Sequence, residues 1–305
     1  MLKNLGKAES LKFLISMDTY DFSIEEDGKE AGIKIMHINE VVEHGRKHGK
    51  IDLEQFRPKP DDIYMFCYTS GTTGDPKAAM LSHNNILSAS SACLGVSGVE
   101  IQPDDTIISY LPLAHSFEKG LFAMSLITGA RIGYYSGDHL KLLDDLQALR
   151  PTLFPSVPRL FNRIYDKIQA GIKEKSGIVR AFINRCVRVK LENLAEKNIY
   201  EHTQYDAFIF KKFKNLLGGR VRVMLTGSAP INPDTLSFLK ICFCAPIHEG
   251  YGQTESSAAS FCTSGLDPKA GHVGGPLPCI RVRLRDLPDL GYMSTDENPR
   301  GEVCF

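Results

Sequence analysis

Neither sign of charge is in excess: 36 Lys and Arg residues balance 36 Asp and Glu across 305 positions. A chain that binds nucleic acid normally carries a basic surplus, so that class of partner is not indicated. Long apolar runs are missing as well. The longest, Gly120 to Ala130, ends at Arg131 and falls well short of the roughly 18 residues that would mark a bilayer-spanning helix. At the N-terminus, Lys3, Lys7 and Glu9 interrupt any apolar core that a signal peptide would need. The eight cysteines, at 67, 93, 186, 242, 244, 262, 279 and 304, include no C-x-x-C pair, which removes a zinc ribbon and a thioredoxin-type motif. Several sit inside apolar runs, where a reduced cysteine acts as a small hydrophobe, and a reducing compartment is expected. There is no internal repeat and no low-complexity tract.

What is present reads as alternating strand and helix, the signature of an α/β protein. Strands are expected at Leu11 to Ser16 and Gly32 to His37, with Asn39 capping a helix to about Lys47. The stretch Asp52 to Asp62, with two prolines and four carboxylates, reads as a surface connection. Ile63 to Cys67 is an apolar run expected as a buried strand, returning over Lys77 to Ser82 into a helix that reaches about Leu94. Thr106 to Leu111 reads as a buried strand, Gly120 to Ile127 as an apolar helix, Ala130 to Tyr135 as a strand and His139 to Leu149 as an amphipathic helix. Thr152 to Phe154 is a short strand. Ser156 is expected to cap a helix in which Leu160, Ile164 and Ile168 recur at i, i+4 and i+8. A long helix follows from Gly177, with Val179, Phe182, Cys186 and Val189 on its apolar face and its basic residues solvated. Val221, Val223 and Leu225 alternate as a strand, and Asn232 before Pro233 starts a helix. Ile280 to Leu284 and Gly301 to Phe305 close the chain as β-like segments.

One stretch carries the densest chemistry: Tyr68-Thr69-Ser70-Gly71-Thr72-Thr73-Gly74-Asp75-Pro76-Lys77. Glycines expose backbone N–H groups in a concave nest that suits an anion. The hydroxyls can donate to phosphate oxygens or ligate Mg²⁺, and Lys77 adds a mobile positive charge. A plain polar turn after a strand would use many of the same residue types. A Walker A loop is excluded, because its second glycine would fall on Pro76 and its Ser/Thr on Ala78.

Three further stretches bear on function. Gly250-Tyr251-Gly252-Gln253-Thr254-Glu255 sets an aromatic face on a glycine-flanked turn with a carboxylate that suits Mg²⁺; a tight turn with an exposed acid is the plainer alternative. Thr226-Gly227-Ser228-Ala229-Pro230 ends a strand in small residues, where ligands of open α/β sheets approach, or serves only as a turn. His115, after Pro112-Leu113-Ala114, stands either beside a substrate carboxylate or as a helix cap. His272, in the glycine-dense run Gly271 to Pro276, is equally open.

In order and spacing, these stretches resemble the core motifs of the adenylate-forming enzymes. The wording of Leu111 to Glu118, Pro151 to Asn162, Gly250 to Glu255 and Gly271 to Cys279 is most similar to eukaryotic-type long-chain fatty acyl-CoA synthetases. One departure stands out: the family usually has glycine where this chain has Ala78. If that position needs positive φ, alanine costs about 1 kcal/mol.

The resemblance implies part of the large N-terminal domain of such an enzyme, with mixed sheets packed against helices over residues 1–305. It implies ATP-dependent activation of a long-chain fatty acid to an acyl-adenylate, followed by displacement of AMP by coenzyme A. Carried over by position, Tyr68, Thr69, Ser70, Gly71, Thr72, Thr73, Gly74 and Lys77 would bind phosphates. Glu255 with the hydroxyl of Ser70 would hold Mg²⁺. Tyr251 would stack on adenine within Gly250, Gly252, Gln253 and Thr254, while Gly227, Ser228, Ala229 and Pro230 would wall the nucleotide pocket. His115 would lie near the acyl carboxylate, and the helix after Gly120 would line an apolar tunnel. Lys77, Glu255 and His115 are the catalytic expectations.

The resemblance further implies a parent held at a membrane by a segment outside these 305 residues, facing the cytoplasm at the endoplasmic reticulum or mitochondrial outer membrane. The family also has a ribose-binding aspartate, a hinge and a small C-terminal domain with an adenylation lysine. None is in this sequence, so it reads as a central fragment with little ligase activity of its own. Activation of another carboxylic acid, or an inactive protein that binds nucleotide or acyl chains, are the competing readings.

Overall fold

The computed structural model describes residues 10–69 and 75–305 and divides the chain into two units, Met1–Pro58 and Lys59–Phe305. In the first unit, β1 (Phe13–Ser16) and β2 (Lys34–His37) pair in parallel, with Phe13 opposite Lys34. Parallel strands need a crossover, and α1 (Phe22–Glu30) supplies it, capped by Asp21. The sequence shows no clear sign of α1, because its polar run has little apolar periodicity. Gly28 lets it lie close to the sheet: a Cβ there would stand 2.6 Å from the Ile35 side chain. The next helix, α2 (Ile38–His48), is capped by His37 rather than Asn39. His37 Nδ1 accepts the Asn39 N–H at 3.1 Å, and the Glu40 carboxylate accepts the His37 N–H.

The second unit opens with a hairpin, β3 (Ile63–Thr69) and β4 (Lys77–Ser82), in antiparallel register from Ile63–Ser82 to Thr69–Lys77. Only one face of β3 is covered. Cys67 packs against Leu81 and Ile86, while Phe66 and Tyr68 are exposed, so the expectation of a buried strand is corrected to a half-buried one. Ala78 pairs with Tyr68 in ordinary extended backbone and does not have positive φ, so alanine carries no strain there. α3 (His83–Leu94) follows, with Ser82 and Asn85 forming a reciprocal cap.

The central sheet has seven strands among the described residues. β5 (Thr106–Ser109), β6 (Arg131–Tyr134), β7 (Leu153–Ser156), β8 (Val223–Thr226) and β9 (Ile247–Tyr251) are parallel in the order β6-β5-β7-β8-β9. β10 (Phe261–Cys262) and β11 (Gly275–Pro276) extend the β9 edge in antiparallel sense. Register divides the side chains between two cores. Ile107, Leu153 and Val223 face one side, with Leu121 and Met124 of α4 (Ser116–Thr128). Ile108, Phe154 and Met224 face the other, with α5 (Leu142–Leu149), α6 (Pro158–Lys173) and α7 (Gly177–Lys197). Before β8 the chain forms α8 (Thr203–Tyr205), a π-helical turn (Asp206–Phe210) and α9 (Lys211–Asn215). After β8, α10 (Pro233–Phe243) joins the second core and starts on the expected Asn232 cap, whose side chain accepts the N–H groups of Asp234 and Thr235. β12 (Arg283–Arg285) and β13 (Glu302–Cys304) pair near the end.

Two further expectations about helices fail. Ser156 is not a cap: it ends β7, its hydroxyl meets Tyr110 Oη at 2.9 Å, and α6 begins at Pro158 without a side-chain cap. In α7 the buried edge is Ile183, Cys186, Lys190 and Leu194, whereas Val179 and Phe182 are exposed. The basic face is therefore not wholly solvated, since Lys190 is fully buried. Near the amino-terminal ends of the parallel strands, Arg222 clamps Asp105, whose carboxylate also accepts the Thr152 hydroxyl at 2.7 Å.

Candidate functional site

The carboxyl ends of parallel strands are where an open α/β sheet admits a ligand, because the turns there present free backbone N–H groups. At the end of β8, Gly227 lies so close to β9 that a Cβ would meet the Gly250 carbonyl oxygen at 3.3 Å. Ser228 then takes φ +72°, a left-handed conformation that a non-glycine residue holds only under tertiary constraint. Glu249 supplies part of that constraint: its carboxylate accepts the Ile231 N–H at 3.3 Å, tying the exit of the turn to β9. Burial pushes the Glu249 carboxyl above its ordinary range, and its second oxygen is buried with no hydrogen-bond partner among the described residues.

β9 runs out through Gly250 and Tyr251 into a tight turn. Gly252 is obligatory there, because a Cβ would fall 1.8 Å from the Ala258 carbonyl oxygen. The turn at Thr254–Ser256 is closed by Gln253 and Ser256: the Gln253 N–H donates to the Ser256 hydroxyl at 3.1 Å, and that hydroxyl lies 3.1 Å from the Gln253 carbonyl. Ser257 and Ala258 both have positive φ, a second strained element beside the first. The ring of Tyr251 is 40% exposed, 5.9 Å from the Phe261 ring and 6.2 Å from that of Phe305. One flat face is thus braced by aromatics.

His115 does two things here. It caps α4, with Nδ1 accepting the Phe117 N–H at 3.1 Å, and it also lines the cavity below. Because Nδ1 accepts, the neutral ring carries its proton on Nε2, free to donate. Three residues on, Glu118 is 2% exposed and bonded to the Ser109 hydroxyl. Burial raises its carboxyl above the ordinary range, against the pull of that hydroxyl.

Between α3, α4 and the ends of β8 to β10 lies a cavity of about 230 Å³. His115, Gly227, Ser228 and Gly250 to Thr254 form its polar end, and Cys93, Val99, Leu121, Met124, Leu225 and Phe261 its apolar walls. Gly120 lines it, with open space among the described residues where its Cβ would point. Ala229, Pro230 and Glu255 sit in the same two turns, next to the lining. Tyr68, Thr69 and Lys77 are on the hairpin, whose β4 strand runs alongside the Thr254–Ser256 turn. Ser70, Gly71, Thr72, Thr73 and Gly74 lie outside the described residues. Sequence reasoning missed Cys93, Val99 and the strained pair Ser257 and Ala258. The first two are ordinary core residues until the fold places them, but the small residues that follow a motif carboxylate were a usable sign of a tight turn.

His272 is not among the residues lining the cavity: its Nδ1 accepts the Gly274 N–H at 3.0 Å and its Nε2 stands 3.3 Å from the Asp267 carboxylate. Among the described residues no group of three His, Cys, Asp or Glu side chains gathers as a metal cage. Glu255 is exposed and offers a single hard carboxylate to solvent. That suits Mg²⁺, which takes one or two carboxylates and fills its remaining positions with water and phosphate oxygens.

A model of the AMP-binding enzyme family matches residues 3–305. The long-chain-fatty-acid–CoA ligase 5 of Mus musculus is 39% identical over 302 residues, covering 98% of this chain and 43% of that protein. The peroxisomal long chain acyl-CoA synthetase 6 of Arabidopsis thaliana is 39% identical over 305 residues, covering 100% and 43%. Among solved structures, the adenylation domain of a carboxylate reductase from Mycobacterium chelonae aligns with a TM-score of 0.73 at 22% identity, over 99% of this chain and 44% of that one. The A domain of a carboxylic acid reductase from Segniliparus rugosus, in complex with AMP and a carboxylic acid, gives a TM-score of 0.67 at 23% identity, over 99% and 45%. The architecture is that of an adenylation domain, and the chain spans less than half the length of these proteins.

Proposed function

The chain belongs to the AMP-binding enzyme family, and we propose that it forms the central part of an ATP-dependent long-chain fatty acid–CoA ligase. The observation that carries this reading is the two-ended cavity, with polar, strained turns at the strand termini and apolar walls between α3 and α4. An amphiphile with one reactive polar end fits such a space, and a fatty acid condensing with a nucleotide is one.

In this reading the acyl chain lies along Cys93, Val99, Gly120, Leu121 and Met124. Its carboxylate comes to rest near His115 Nε2, which donates a hydrogen bond and orients it towards the α-phosphate of ATP. Tyr251 offers its braced ring to adenine. Gly227, Ser228, Ala229 and Pro230, with Gly250, Gly252, Gln253 and Thr254, wall the nucleotide. Lys77 and the loop Thr69 to Gly74 neutralise charge on the β- and γ-phosphates as pyrophosphate leaves, where one preorganised donor contributes about 3 kcal/mol. Glu255, with Ser70, would hold Mg²⁺, which supplies charge neutralisation at the phosphates when bound. Coenzyme A is the acceptor of the second half-reaction. No described helix is long and apolar enough to cross a bilayer.

The test is ATP–pyrophosphate exchange by the full-length parent across acids of increasing chain length. Exchange rising with long-chain acids is expected, and exchange driven only by short or aromatic acids would sink the reading. For the 305-residue chain alone, calorimetry with ATP and Mg²⁺ should detect binding without appreciable acyl-CoA formation.

A further inference from the structure

Away from the cavity, on the opposite face of the sheet, a lysine is buried in the larger core. Lys190 of α7 has no exposed surface, and its ammonium reaches three acceptors: the Asp206 carboxylate, the Ile241 carbonyl at 2.7 Å and Cys244 Sγ at 3.2 Å. The Phe210 ring covers it at 4.0 Å. A lysine tied to a carboxylate and a helix C-terminus needs no sulfur, because those two acceptors already offset the cost of burying its charge. Yet Cys244 occupies a costly place. It is the C-cap of α10 at φ +54°, a left-handed position where glycine or asparagine is the usual choice. From that position the thiol stands 3.2 Å from the amine.

From this juxtaposition we propose that Lys190 and Cys244 form a covalent nitrogen–sulfur bridge under peroxide, stapling α7 to the end of α10. Hydrogen peroxide oxidises the Cys244 thiol to a sulfenic acid and leaves one water. Sulfenic acids condense with a nearby nitrogen. Here one ammonium proton passes to the Asp206 carboxylate as the Lys190 nitrogen attacks Sγ. The S–O bond breaks, and hydroxide leaves as a second water with another of the ammonium protons. The amine keeps its last hydrogen on the new N–S bond. The sulfur is oxidised by two electrons and the peroxide O–O bond is reduced. Burial pushes the Cys244 thiol up to about 11, against the pull of the Lys190 charge, so little thiolate is present and the reaction is slow. Cys244 keeps 6% of its surface exposed, against none for Cys242, so a small oxidant needs only a slight opening of the α10 end to reach it. The neighbouring Cys242 is fully buried and pushed up further, which leaves Cys244 as the reactive member of the pair.

The experiment treats the whole 305-residue chain with hydrogen peroxide over hours, blocks free thiols, digests it and measures peptide masses. One crosslinked pair joining Lys190 to Cys244 is expected, lighter by two hydrogens than its separate peptides and released by a thiol reductant. It should be absent from Lys190→Arg. The exposed Cys279 reports that the oxidant acted. The proposal is overturned if Cys279 is oxidised while Cys244 stays a free thiol, or if Cys244 appears as a sulfinic acid or in a disulfide with Cys242 while Lys190 remains a free amine. The deciding masses come from the unaltered chain, so they do not depend on whether the variant folds.

Discussion

The carbonyl oxygen of Ala258 stands in the space where a side chain at Gly252 would begin, 1.8 Å from a Cβ built there. Neither group can move without opening the turn that displays Tyr251, because Ala258 is itself held at φ +81°. Gly252→Ala should therefore cost about 2–3 kcal/mol of stability, by the usual toll of forced repacking. It should also weaken ATP binding by about tenfold or more. Urea unfolding and calorimetry measure the two effects, and a variant with wild-type values in both would show that the turn has no such constraint.

Gly120 presents the opposite situation, an open space in a helix wall. Gly120→Leu should leave folding intact or improve it by about 0.5–1 kcal/mol, since glycine inside a helix is unfavourable. The new side chain would enter the cavity. In the full-length parent the preferred acid should shorten, with KM for long chains raised several-fold and that for short ones little changed. Unaltered chain-length preference would place the acyl group elsewhere.

Tyr251→Ala removes the exposed ring face while leaving the backbone turn. If adenine stacks there, the loss is about 1–3 kcal/mol, or roughly 5- to 150-fold in ATP affinity. Tyr251→Phe should retain most of the affinity. Equal losses in both would point to the phenol hydroxyl rather than the ring.

Asp105 gives the fold an acid limit. Burial alone would raise its carboxyl, but Arg222, the Thr152 hydroxyl and the Gln102 N–H together hold it below the ordinary range. A depressed carboxylate contributes stability in full above its unfolded value of about 3.9, and that contribution fades as pH falls through the folded value. Asp105→Asn should cost about 2–3 kcal/mol at pH 7, less than a fully buried pair because Arg222 is partly solvated. Its stability should then vary less between about pH 5 and pH 2 than that of the parent chain, as followed by thermal melts.

The strand–helix order was legible because apolar runs such as Thr106 to Leu111 and the Asn232-Pro233 helix start are local signals. So were the two tight turns after β8 and β9, whose glycines and hydroxyls cluster within a few residues. What stayed hidden depends on partners distant in sequence. Lys190 reads as one more cation on a basic helix until Asp206 and Ile241 are brought to it. Ser156 has the chemistry of a cap, yet Tyr110 claims its hydroxyl. His37 outcompetes Asn39 because Glu40 completes a reciprocal cap that side-chain preference alone does not reveal. The helix after Gly120 was expected in the apolar wall, but Cys93 and Val99 escaped for the same reason, as only the fold brings them to the cavity that Gly250 lines.

The uncovered side of the β3–β4 hairpin has a practical outcome. Phe66 and Met80 lie directly opposite one another, 60% and 65% exposed, with Tyr68 next along the same face at 70%. A contiguous aromatic and thioether surface of this kind attracts its own copies. The isolated chain should therefore show a negative second virial coefficient in light scattering and precipitate at moderate concentration. Swapping Phe66 and Met80 for threonine and lysine would raise its solubility without touching the cavity.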